Sequence, residues 1–124
     1  MSEKATILLL HGSKDASWME PFIEMKDRVS AKIPDARIGI ACLQFGSPTL
    51  NETVYQLFKE GIRKFTVVPV FIATRGHVTK DVPALVEKVR KLFPGAEITV
   101  TPAIGELPSV QQAMIDGIAG IAGK

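Results

Sequence analysis

The sequence predicts an α/β fold built on one parallel sheet of four strands. Two patterns carry this expectation. Short apolar runs, each closing in a polar or glycine-bearing turn, recur at Ala5–Leu10, Arg37–Leu43, Lys64–Phe71 and Ala96–Thr101, as buried strands do. Between and after them lie segments with apolar residues at steps of three and four, the helical period. Strands alternating with helices of this length, with no linker or low-complexity stretch, imply right-handed crossovers and a parallel sheet. At 124 residues the chain suffices for one core, and residues 1–124 are read as a single domain.

The first strand, Ala5 to Leu10, ends in His11-Gly12-Ser13. The helix that follows presents Trp18, Phe22, Met25, Val29 and Ile33 on one face and stops at Pro34-Asp35. The second strand, Arg37 to Leu43, runs into the loop Gln44-Phe45-Gly46-Ser47-Pro48. Thr49 is placed to cap the second helix, with Glu52 at the capping-box spacing. The face of that helix is Leu50, Val54, Leu57, Phe58 and Ile62. The third strand, Lys64 to Phe71, is followed by Gly76-His77 and a helix from Thr79 to Phe93. Pro83 is expected in the first turn of that helix, where a missing N–H costs little. The fourth strand spans Ala96 to Thr101. A last helix, Ser109 to Ile121, carries Val110, Met114, Ile118 and Ile121 on one side and is weakened by Gly117 and Gly120. In the flavodoxin-like order 2-1-3-4 the first and third strands are neighbours, about 5 Å apart.

The net charge is +2 and the basic residues are scattered. A nucleic-acid protein would show a basic stripe, so no nucleic-acid partner is expected, whereas an anionic small molecule fits. The lone cysteine, Cys42, has no internal disulfide partner and is expected to be a small core residue. There is no signal pattern and no run of membrane-span length, so the expectation is a soluble cytoplasmic protein without a membrane partner.

The chain has two histidines, His11 and His77, and both follow the carboxyl ends of buried strands. That edge is where open α/β sheets bind ligands. In the order 2-1-3-4 the two would emerge side by side, flanked by Gln44. One loop histidine is usually an ordinary surface residue, but a pair offers more. Two neutral imidazoles can share a divalent metal, or they can accept protons near neutral pH, since the unperturbed pKa is about 6.5. A closed structural zinc site needs four ligands, and no Cys/His cluster supplies them. A metal site here is therefore open, or is completed by a substrate or a second chain.

Other chemistries lack their motifs: there is no G-x-S-x-G and no phosphate-binding glycine loop. Arg75 and Lys80 bracket His77 and suit carboxylates, Arg75 by a bidentate fork, unless they are solvated loop charges. Ser13 is expected to cap the first helix, Lys14 to be a surface lysine, and Asp81 to favour a helix N-terminus.

Taken together, Leu8-Leu9-Leu10-His11-Gly12-Ser13, Ser47-Pro48-Thr49-Leu50, Pro69-Val70-Phe71, Gly76-His77-Val78 and Asp81-Val82-Pro83 resemble the short CbiX-type sirohydrochlorin chelatases, in residues and in spacing, over nearly the whole chain. The resemblance implies one half of the chelatase fold. It implies insertion of a divalent metal, cobalt or in relatives iron or nickel, into a tetrapyrrole with many carboxylates. The metal is a substrate and no organic cofactor is involved. His11 and His77 match the metal-site histidines of the family. Rim carboxylates would meet Arg75, Lys80 and the loops holding Gly12, Ser13 and Gly76. Long members carry two halves, so a single half implies a homodimer. One position departs. Where the family commonly has an acidic residue after the second strand, this chain has Gln44, a neutral carbonyl donor that is no base near pH 7. Two other readings stand beside this one: a binding module of the same fold without turnover, and an unrelated interaction domain with incidental histidines.

Overall fold

The computed structural model describes residues 3–73 and 78–124. Four strands, β1 (Lys4–Leu10), β2 (Arg37–Cys42), β3 (Lys64–Pro69) and β4 (Glu97–Val100), form one sheet in the order β2-β1-β3-β4. All three pairings are parallel. The helices are α1 (Glu20–Lys32), α2 (Leu50–Lys59), α3 (Val78–Leu92) and α4 (Pro108–Ala122). Short 3-10 turns at Ala16–Met19 and Ile104–Glu106 precede α1 and α4. The predicted fold class and strand order are therefore observed; β1 starts one residue earlier than predicted, and the other strands are shorter by one or two residues. No described helix is long and apolar enough to cross a membrane.

Strand alternation divides the core. Ala5, Ile7 and Leu9 of β1 share a cluster with Phe65 and Val67 of β3, Leu50, Val54 and Leu57 of α2, and Val82, Val86 and Val89 of α3. Leu10 points the other way, into a smaller cluster with Met19 and Cys42, against which Trp18 and Phe22 pack. Cys42 is thus the core residue expected, its Sγ 3.7 Å from Met19 Sδ, and burial pushes its thiol up. The capping box of α2 forms as predicted. Thr49 Oγ1 accepts from the Glu52 N–H at 3.2 Å, and Glu52 Oε1 accepts from the Thr49 N–H at 2.8 Å.

Three expectations are corrected. The apolar stripe of α1 is only partly used: no residue of the helix is buried, and Met25 and Ile33 are exposed. Helix α3 begins at Val78, so Pro83 is its sixth residue, beyond the first turn, where it withholds one intrahelical bond. Helix α4 forms, but none of its residues is buried; Ile115, Ile118 and Ile121 are 57%, 66% and 76% exposed. A Cβ added at Gly117 or Gly120 would meet nothing within 4 Å. Within the chain α4 packs mainly on the 3-10 turn before it. It does not lie on the sheet beside α1, and Thr66, Val68 and Val70 on that side of β3 stay half-exposed.

Candidate functional site

The in-register sheet brings the expected strand ends together. Leu9 of β1 stands opposite Pro69 of β3, and Leu10 opposite Cys42 of β2. Two residues further on, the His11 ring stacks on Phe71, centroids 3.9 Å apart and planes 25° from parallel. Phe71 is buried and His11 exposed. A fixed aromatic floor therefore orients an imidazole at the carboxyl edge of the sheet. Sequence reasoning took Phe71 as the last residue of the third strand and gave it no contact with His11. The register, continued past the strand ends, is the signal that would have found this contact.

The second strand's loop is locked to the same place. Leu43 donates its N–H to the Leu10 carbonyl at 2.7 Å, and Gln44 donates to the His11 carbonyl at 3.1 Å. Gln44 thus flanks His11, as expected, with its side chain exposed. Gly12 has a φ of 96°, and a Cβ there would fall 1.7 Å from the Gln44 carbonyl oxygen. Only glycine lets the two loops approach this closely. The Cys42 N–H returns the loop to the sheet by donating to the Pro48 carbonyl at 2.8 Å.

Ser13 does not cap α1. Its Oγ accepts from the Asp15 N–H at 3.1 Å, and Asp15 is the capping residue. Asp15 Oδ1 accepts from the Ser17 N–H at 2.9 Å and the Ser17 hydroxyl at 2.7 Å. Those bonds, the hydroxyl's first, hold the Asp15 carboxyl below its ordinary value. Asp15 caps the 3-10 turn, and α1 follows it from Met19 with no side-chain cap of its own. The next loop residues make a shallow depression lined by Ser13, Lys14, Ala16, Phe45, Gly46 and Ser47.

Lys80 is exposed on the first turn of α3, and Asp81 is the acidic residue of that turn, as expected. His77, Arg75 and Gly76 lie outside the described residues. Among the described residues, no three His, Cys, Asp or Glu side chains gather to hold a metal ion.

The family model CbiX matches residues 5–120 of the chain. The chain is 32% identical over 105 residues to the sirohydrochlorin cobaltochelatase of Saccharolobus solfataricus, covering 80% of each protein. A solved structure of a protein described as a cobalamin (vitamin B12) biosynthesis CbiX protein from Marinobacter aquaeolei superposes with a TM-score of 0.83 at 33% identity, over 97% of this chain and 95% of that one. SirB from Bacillus subtilis, solved with cobalt, shares the fold at a TM-score of 0.81 and 21% identity. That match takes in 98% of this chain but 52% of SirB, so the chain spans about half the length of SirB.

Proposed function

The chain belongs to the CbiX family, and from that premise we propose that it is a sirohydrochlorin chelatase, a lyase that inserts a divalent metal into sirohydrochlorin. We assign cobalt as the metal, cobalamin biosynthesis as the pathway and the cytoplasm as the place. Residues 1–124 act as one CbiX-type half, without an organic cofactor. The observation that carries this reading is the family match across residues 5–120, which includes the His11-Gly12-Ser13 turn with His11 exposed at the carboxyl edge of the sheet. The names of the relatives at 28–32% identity support cobalt.

The chemistry follows from the side chains. A free-base tetrapyrrole loses two N–H protons as the metal enters. The entering ion must shed water while keeping bonds that exchange readily. Neutral imidazoles suit borderline ions such as cobalt, iron and nickel. An imidazole released from metal is also a base of the right strength. His11, its plane set by Phe71, and His77 take both parts in this reading. Rim carboxylates are met by Arg75, Lys80 and the N–H groups around Gly12, Ser13 and Gly76, with the Gln44 amide beside them.

An anaerobic absorbance time course with sirohydrochlorin and cobalt(II) tests the proposal. Conversion well above a protein-free control is expected. A rate no higher than that of the protein-free control with cobalt, iron and nickel alike would sink it. A faster reaction with iron or nickel would keep the chelatase and replace the metal. Gln44 favours one second reading, a metal- or tetrapyrrole-binding module without turnover. That module would shift the spectrum and convert nothing. With turnover present, Gln44→Glu is expected to raise the insertion rate on the order of tenfold, by restoring a carboxylate base; an unchanged rate would show that the carboxylate is dispensable.

We also propose a homodimer. Support comes from α4, whose isoleucines have no place in the chain's own core, and from the face of β3 where Thr66 and Val68 stay half-exposed. Exposed apolar surface of this kind marks an interaction site. Sedimentation is expected to give a dimer for the native chain. Ile118→Asp with Ile121→Asp is expected to give a monomer with unchanged helical content. A native chain that sediments as a monomer at all concentrations refutes the dimer.

A further inference from the structure

The residue least explained by the fold is Phe45. The residue is 59% exposed and its backbone lies in the left-handed region, φ 54°. An aromatic residue gains nothing there from the core and accepts a conformation that favours glycine or asparagine. Phe45 is nonetheless firmly placed. Gln44 before it is tied to the His11 carbonyl. Gly46 after it is packed so closely that a Cβ would lie 3.3 Å from the Ser13 carbonyl oxygen and 3.0 Å from Cys42 Sγ. Across the depression, Lys14 holds its Nζ 5.8 Å from the centre of the Phe45 ring. Lys14 forms no ion pair with any described residue. A flat apolar face and a cation on a flexible stem thus stand together, on the two loops that also hold His11.

We propose that Phe45 and Lys14 form a substrate shelf: the phenyl ring lies against the face of the tetrapyrrole, and the Lys14 ammonium pairs with a carboxylate on its rim. This assignment rests on the chelatase reading. A conjugated macrocycle offers a wide π-face to an offset ring, and its acidic side chains end beyond that face, within reach of a four-carbon stem. The shelf positions the ring system beside His11 and takes no part in proton or metal transfer. It therefore sets how tightly the substrate is held.

The test is steady-state insertion kinetics with Phe45→Asn, Phe45→Tyr and Lys14→Ala beside the wild type. Asparagine tolerates the left-handed backbone, so the first exchange removes the ring without straining the loop. Phe45→Asn is expected to raise KM for sirohydrochlorin about tenfold with kcat within about twofold, and Phe45→Tyr to stay near wild type. Lys14→Ala is expected to raise KM about threefold, and less so at high salt. An unchanged KM in Phe45→Asn overturns the shelf. So does an equal loss in the Tyr and Asn variants, which would mean a structural role for the loop. A wild type that inserts no metal overturns the chelatase reading itself, an outcome separate from either of these.

Discussion

Exchange of both histidines, His11→Ala with His77→Ala, is expected to reduce metal insertion by about 10²- to 10⁴-fold, the scale on which a positioned acid–base group contributes. His11 is exposed outside the core clusters, and the fold should survive its loss. Circular dichroism and thermal melting close to wild type would confirm that. Spectral conversion of sirohydrochlorin with cobalt(II) would then approach the protein-free rate. Each single variant is expected to lose less than the pair if both imidazoles handle both metal and protons. A double variant with undiminished turnover would remove the histidines from the mechanism.

The second large effect is structural. Gly12→Ala is expected to destabilise the chain by at least about 3 kcal/mol and lower Tm by roughly 10 °C or more. The added Cβ would sit 1.7 Å from the Gln44 carbonyl oxygen, 2.9 Å from its carbon and 3.2 Å from Cys42 Cβ. Backbone, not a flexible side chain, stands in the way, so the loops must part. Gly61→Ala is the control. Its φ is 98°, nearly that of Gly12, yet a Cβ there meets nothing within 4 Å. It should cost only the left-handed penalty, about 1–2 kcal/mol. The difference between the two melts isolates the collision. Equal losses would mean that the loops yield and that the close approach contributes nothing.

The sequence reading succeeded where a local rule had no competitor. Alternating strand and helix patterns, with the order 2-1-3-4, placed the ends of β1, β2 and β3 at one edge, and His11 and Gln44 do meet there. Thr49 and Glu52 made the capping box because both partners lie within one turn. It failed where the outcome depended on what a face would pack against. The stripes of α1 and α4 have helical spacing, but spacing does not say whether a core awaits them, and for α4 none does within the chain. Ser13 does not cap α1 because a 3-10 turn, capped by Asp15, comes between them, and periodicity does not show such a turn ahead of a helix. The His11–Phe71 stack was hidden because it depends on register past the strand ends, which hydrophobicity leaves open.

The position of residue 44 is fixed by main-chain atoms: its N–H on the His11 carbonyl and its own carbonyl against Gly12. Its side chain contributes to neither contact. The loop is accordingly a socket whose plug can be changed without rebuilding the wall. Amide, carboxylate or imidazole at this one position would be presented from the same spot beside His11. Metal preference in such a scaffold can drift by single substitutions at little cost to folding, and a panel of variants at residue 44 would amount to a titration of ligand hardness on a constant frame.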